Sequence, residues 1–363
     1  MIADLTEALH GIGVESTVFA TVGPRVGNAP VSLGGFASVR LFGTDRLSRM
    51  WVAHSSSLAR AVGNEIEHYD LVHIHELWHH PLWSAYRTAS RCGVPFVMTP
   101  HGQLDSWALS HKAWKKRIFS TLVQHRIVRE AATIHALTAR EAEQIRMYGV
   151  TRAPFVIPNA ANIRSVRPAP DRFYALFPHL VGKQVVLFLG RIHLQKGLDV
   201  LVEAFEQVSR SVPNAQLAIV GPDENRLAEI LKRRCRELGI ERTVTFTGPL
   251  YEEDKQAALA AARLFVLPSR FEGQSMALLE AMAAGLPSVV TPAANSPDVA
   301  AAGAGMVVPL APADLGMAIV KLLSDDSVAQ EMGRNAQRAV QGEYSWARTA
   351  SSMAAMYETA VSR

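Results

Sequence analysis

LFVLPSRFEGQSMALLEAMAAGLPSVVT (residues 264–291) reads as strand, loop, helix, turn and strand in one continuous stretch. Residues 264–268 form an unbroken apolar run, as expected of a parallel strand covered on both faces. Ser275 stands at the N-cap of the helix that follows. Gly285 falls at its C′ position, with Pro287 just beyond. Residues 288–291 begin the next strand. Parallel strands joined through a helix are linked by right-handed crossovers, and their ligands bind beyond the carboxyl ends of the strands. The loop between Pro268 and Ser275 is therefore the first place to look for chemistry.

The same alternation runs along the whole chain. Strand candidates lie at 14–20, 39–43, 71–75, 96–101, 133–138 and 155–158, then at 185–190, 216–221, 244–248, 264–268, 288–291 and 306–309. Helices are expected at 198–209, 225–238, 253–261, 276–284 and 312–323. A chain of 363 residues exceeds what one core usually supports. The stretch 162–182 lacks clean periodicity and carries several prolines, so it reads as an interdomain connection. The expectation is an α/β protein of two doubly wound domains.

Composition narrows the function classes. Apolar residues make up 48% of the chain, which argues against disorder. They come in short runs, never the roughly 20 in succession that a membrane span needs. MIADLTEALHGIG at the start lacks the basic and apolar regions of a secretory signal. Cys92 and Cys235 fall in different presumptive domains, so a reducing, cytoplasmic setting is expected. A net charge of +4 suits anionic small molecules or lipid headgroups and is too small to argue for nucleic acid.

In the second half, VVLFLGRIHLQKG (185–197) is a buried strand ending at Gly190, followed by Arg191 and Lys196 before a helix. Either these are solvated charges flanking a turn, or they hold a diphosphate whose negative charge grows as it departs. Gly273, Gln274 and Ser275 put backbone N–H groups at a helix N-terminus, a ready anion site. Glu272 and Glu280 are eight positions apart, ~12 Å if the segment were wholly helical. That is the scale of a nucleotide-diphosphate sugar. Glu280 could equally be a surface helix residue, but it stands among Leu278, Leu279, Ala281 and Met282, an apolar setting for a charge without a partner.

These residues carry a family resemblance. FEGQSMALLEAMAAGLPSVVT, with its two spaced glutamates, resembles the retaining glycosyltransferases of family 4, which have the GT-B fold. GRIHLQKGLDVLVEAF (190–205) looks like the same family's arginine–lysine phosphate motif. TPHGQLDSWAL (99–109), IPNAAN (157–162) and YSWARTASSMAAMYETA (344–360) extend the similarity over nearly the whole chain. The resemblance implies two Rossmann-like domains facing across a cleft: an acceptor domain at 1–165, with the helix at 344–363 packing back on it, and a donor domain at 183–343. Arg191 and Lys196 would bind the donor diphosphate and stabilise the leaving nucleotide. Glu272 would take sugar hydroxyls and Glu280 the ribose. Gly190 and the amides of Gly273, Gln274, Ser275, Met276 and Ala277 would face the phosphates or sugar, and Leu250 would lie near the base. His101 and Gly102 would approach the donor sugar from the other domain. The family generally needs no metal or cofactor and retains anomeric configuration.

The first half is less explicit. DLVHIHELWHH (70–80) gathers four histidines, but their spacing matches no zinc site and reads better as a strand end with its loop. WALSHKAWKKRIFSTLVQHRIVRE (107–130) is basic and apolar at helical spacing. It reads either as a helix on an anionic membrane surface or as a domain helix with a solvated basic face. If the acceptor is a lipid-linked glycan, peripheral contact with the inner face of the plasma membrane is expected. Members of the family usually open with a strand and a glycine-rich loop before a helix like that at 2–10. Without that strand, unpaired backbone edges are expected on its neighbours. The leading reading is a transferase of surface polysaccharide assembly. A sugar-nucleotide epimerase of the same architecture and a nucleotide-sugar-binding protein without catalysis stand behind it.

Overall fold

The computed structural model describes residues 1–23, 38–105, 124–161, 169–223, 226–294 and 297–362. They form two units: Met1–Asn159 with Trp346–Arg363, and Ala160–Ser345. The first unit runs α1 (Ile2–His10), β1 (Thr17–Val22), β2 (Ser38–Gly43), α2 (Ser56–Glu65), β3 (Val72–His75), α3 (His80–Cys92), β4 (Phe96–Thr99), α4 (His125–Glu130), β5 (Thr133–Ala136), α5 (Ala139–Met147) and β6 (Phe155–Val156). The second begins with α6 (Asp171–Leu176), then β7 (Gln184–Leu189), α7 (Leu198–Ser211), β8 (Ala215–Val220), α8 (Leu227–Glu237), β9 (Val244–Gly248), α9 (Glu252–Ala261) and β10 (Ala262–Leu267). It continues with α10 (Met276–Ala283), β11 (Ser288–Val290), α11 (Pro297–Ala301), β12 (Gly305–Val307), α12 (Pro312–Ser324) and α13 (Asp326–Glu343). The last helix, α14 (Trp346–Val361), belongs to the first unit. Each strand expected from the sequence is matched by a strand.

In the second unit the six parallel strands lie in the order β12-β11-β10-β7-β8-β9. Numbered from β7, this is the 3-2-1-4-5-6 order of the Rossmann sheet. The unbroken apolar runs become the middle of the core: Val185–Phe188 and Leu217–Val220 are fully buried. Helix α7 turns Leu201, Val202, Phe205 and Val208 toward them and packs against α12. The stretch 162–182 is more than a connection. Phe173 in α6 and Leu180 after it are fully buried in this unit's core. Their apolar spacing was hidden among prolines and charges. Residues 162–168 lie outside the described residues.

The first unit departs from one continuous sheet. β1 pairs in parallel with β2, while β3, β4, β5 and β6 form a separate four-stranded parallel sheet. Among the described residues β1 pairs with β2 alone and β3 with β4 alone. A cavity of about 1460 Å³ is lined by α1, by β1, by β3 and by Tyr357 and Val361 of α14. Leu5 and Leu9 of α1 join Met353, Met356 and Ala360 of α14 in a small apolar cluster with Val97 and Ile157. The basic segment 107–130 lies mostly outside the described residues. Its last part is α4, whose Ile127 and Val128 are buried.

Candidate active site

In the second unit the strand order reverses between β7 and β10, so their carboxyl ends form the crevice where ligands of such sheets bind. Both sequence motifs sit there. Gly190 closes β7 and donates its N–H to Val220 O at 2.9 Å; Arg191 beyond it is exposed. Leu194–Lys196 form a short 3-10 turn, and Gly197 starts α7 at φ +67°. A Cβ at Gly197 would stand 2.0 Å from the Pro268 carbonyl oxygen, so only glycine lets the post-β7 loop lie against the post-β10 loop. The two loops are then laced together. Arg270 N–H donates to Gln195 O at 2.8 Å, and Gln195 Nε2 donates to Phe271 O at 2.9 Å. Arg270 also grips Asp199 with both terminal nitrogens, at 2.8 and 2.7 Å. Burial opposes ionisation of Asp199, but this fork outweighs it and holds the carboxyl below its usual range.

The lacing brings Lys196 and Glu272 into contact. Lys196 Nζ donates to Glu272 Oε1 at 2.6 Å, and Ser269 Oγ donates to the same oxygen at 2.5 Å. The two charged side chains are 13% and 8% exposed, so the pair is largely withdrawn from water and electrostatically strong. Glu272 N–H donates to Ala293 O at 3.0 Å, which fixes the backbone that carries it. Ser275 caps α10 by accepting from Leu278 N–H at 3.3 Å, as its position required. Gly273, Gln274, Met276 and Ala277 are half-buried along that loop and first turn. Glu280 has the partner that its apolar neighbours called for: Lys255 of α9 donates to it at 2.7 Å. Leu250 is half-buried just past β9 and packs against the core. Sequence reasoning missed Ser269, Lys255 and the Asp199–Arg270 fork. Lys255 and the Asp199–Arg270 fork act across elements and leave no local spacing to detect, whereas Ser269 lies three residues before Glu272 in the same loop, a spacing that could have found it.

In the first unit His101 and Gly102 follow β4 in left-handed conformations, at φ +53° and +74°. The His101 and His75 rings share a hydrogen bond of 2.9 Å between Nε2 and Nδ1. Burial pulls His101 down to about 4 against the opposing pull of Glu76, so its imidazole is neutral near pH 7. His73 and His75 are pushed well below the ordinary value by burial and by neighbouring histidines, and burial brings His135 to about 4. The hydrogen bonds fit neutral rings. His135 Nε2 donates to Ile157 O at 2.6 Å, so its Nδ1 accepts from Thr99 Oγ1 at 2.8 Å. Thr99 then accepts from His73 Nε2 at 2.7 Å, and His73 Nδ1 accepts from Tyr357 Oη at 2.8 Å. The histidines of 70–80 are thus spent on hydrogen bonds and ring contacts, His79 with Glu76 and His80 against Trp51. Among the described residues no cluster of three or more His, Cys, Asp or Glu side chains could hold a metal ion.

Residues 1–160 match the family model described as Glycosyl transferase 4-like domain, and residues 183–325 match Glycosyl transferases group 1. A D-inositol 3-phosphate glycosyltransferase of Nocardia farcinica is 31% identical over 81% of this chain and 67% of its own length. The chain belongs to the family-4-like glycosyltransferases. Solved structures agree on the fold of this glycosyltransferase. Sucrose-phosphate synthase from Thermosynechococcus elongatus superposes with a TM-score of 0.80 at 22% identity, covering 98% of this chain and 92% of that one. HepE of Anabaena, solved with UDP and glucose, gives a TM-score of 0.77 at 18% identity, covering 95% and 100%. The fold is accordingly GT-B in class, with two Rossmann-like units.

Proposed function

We propose that this glycosyltransferase moves a sugar from a nucleotide-diphosphate donor to a glycan or lipid-linked acceptor with retention of configuration and without a metal. The observation that carries the reading is the Lys196–Glu272 pair at the switch point between β7 and β10. A cation and a carboxylate held 2.6 Å apart suit the two ends of the breaking bond. Lys196, with Arg191, offsets the negative charge that grows on the departing diphosphate. Glu272 accepts hydrogen bonds from sugar hydroxyls. Glu280 takes the ribose hydroxyls, Leu250 borders the base, and Gly190 with the amides of residues 273–277 lines the phosphates. His101 and Gly102 serve the donor sugar from the first unit, His101 as a neutral imidazole that can give or take a hydrogen bond.

The acceptor class and a role in surface polysaccharide assembly rest on the HGQLDSWAL and WKKR segments, which resemble such members of the family. No helix among the described residues is long and apolar enough to cross a membrane. We place the enzyme at the cytoplasmic side, with the basic segment 107–130 as its membrane contact.

The reading is tested by transfer assays on the wild type, Lys196→Ala and Glu272→Ala. Each substitution is expected to slow transfer by ~10²-fold or more, the scale of a lost preorganised electrostatic contact. Chelator should leave the rate unchanged, and an α-linked donor should give an α-linked product. Wild-type rates in both variants, or an inverted product, would refute it.

A further inference from the structure

We propose that Glu141 is a positioning residue for transfer: its buried carboxylate holds the His101–Gly102 turn in the conformation that presents His101 to the donor sugar. The proposal rests on the reading of His101 given above.

Two neighbouring loops of the first unit carry unusual backbone. After β4, His101 and Gly102 are left-handed; after β3, Glu76 and Trp78 are left-handed as well, each at φ +73°. A non-glycine residue in this region costs about 1 kcal/mol or more and persists only where its surroundings over-determine it. The loops brace each other: Leu77 N–H donates to Gln103 Oε1 at 2.8 Å, and the His75 and His101 rings are bonded. A further restraint on the turn comes from α5. Glu141 is fully buried; its Oε1 accepts Gly102 N–H at 2.5 Å and its Oε2 accepts Leu137 N–H at 2.7 Å. The far end of the turn is tied to the same helix, where Gln144 Nε2 donates to Asp105 Oδ2 at 2.5 Å.

Local capping accounts for only one oxygen of Glu141: Thr138 caps α5 by accepting Glu141 N–H at 3.1 Å, and Glu141, at the capping-box position, reaches back with Oε2 to Leu137 N–H. The other oxygen goes outside the helix to Gly102, and packing does not explain that, because an apolar side chain would fill the place without the desolvation cost of a carboxylate. What the carboxylate alone supplies is two acceptor oxygens, one for the strand end that precedes α5 and one for the amide next to His101.

The test uses the full chain with Glu141→Leu, Glu141→Gln, His101→Ala and the Glu141→Leu/His101→Ala double variant. Amide exchange of Gly102 and the titration of the His101 ring are followed by NMR. Glu141→Leu should speed Gly102 exchange at least tenfold and move the His101 midpoint up from about 4 toward its ordinary value as the ring is released. Glu141→Gln keeps one acceptor oxygen and should fall between, which also covers a Leu variant that fails to fold. Unchanged exchange and titration in both variants would overturn the proposal. Turnover of UDP-glucose, UDP-N-acetylglucosamine and GDP-mannose is then measured in each variant. If Glu141 acts through His101, the double variant will be within about twofold of His101→Ala, whereas an independent structural role would multiply the two losses. A His101 ring displaced in Glu141→Leu, together with wild-type turnover in His101→Ala, would instead overturn the reading of His101 as a donor contact.

Discussion

At the scale of single residues, the two glutamates of the second unit's motif each meet a lysine, Glu272 with Lys196 and Glu280 with Lys255. Glu272 is 8% exposed, and its charge is matched by Lys196 and Ser269. Lys196→Ala should therefore do two separable things: slow transfer by ~10²-fold or more, and leave a mostly buried carboxylate uncompensated at roughly 3 kcal/mol of stability. Adding Glu272→Gln should restore much of the unfolding midpoint and none of the transfer. If stability and transfer recover together, the pair is structural. Lys255 is the counterpart for Glu280. Lys255→Met leaves that carboxylate without its cation near the incoming diphosphate, so UDP should bind several-fold more weakly in calorimetric titration, and an unchanged affinity would separate Glu280 from the nucleotide. Arg191, Lys196, Glu272 and Glu280 were legible in the sequence because they sit at fixed offsets from strand ends and caps. Lys255 and the Glu141–Gly102 contact were not, because each pairing is made through the tertiary fold; Ser269, three residues before Glu272, was open to local reading and was missed.

Among elements, the decisive contact lies between the loops that follow β7 and β10, and Gly197 permits it. Gly197→Ala puts a Cβ 2.0 Å from a backbone oxygen, so the loops must part. Gly182 is also left-handed, at φ +72°, but has nothing within 4 Å of its would-be Cβ. Gly182→Ala should cost only the conformational penalty of about 1 kcal/mol. Gly197→Ala should cost more in denaturant titration and also weaken donor binding. Equal losses in the two variants would mean that the loop approach is not under steric control. The strands were legible because continuous apolar runs such as VVLFL have no reading other than a doubly covered strand or a buried helix, and their length decides between the two. Phe173 and Leu180 show the limit: a core contribution made by a short helix among prolines has no period long enough to read. The division of the first unit's strands into two sheets follows from which strand edges meet, which local pattern does not encode.

For the whole molecule, the histidines of the first unit set an expected response to acid. In the first unit the half-buried His101 and the buried His135 are both pulled to about 4, with His73 and His75 well below the ordinary value. In the unfolded chain each returns to about 6.5 and binds more protons than the folded state between those values. The stability these neutral rings contribute is therefore complete above pH 6.5 and lost as pH falls toward 4. Protonation would also break the Tyr357–His73–Thr99–His135 chain of hydrogen bonds. Unfolding midpoints should fall as pH drops from about 6.5 to 4, and flat midpoints over that range would show that the rings are not held neutral. The central claim concerns the second unit, a Rossmann sheet whose switch point carries Arg191, Lys196 and Glu272. Its most direct test is calorimetric titration of the folded chain with a panel of UDP- and GDP-sugars, repeated on Arg191→Ala. The account expects one donor to bind the wild type and lose most of its affinity in the variant; equal affinity in the two proteins would contradict it.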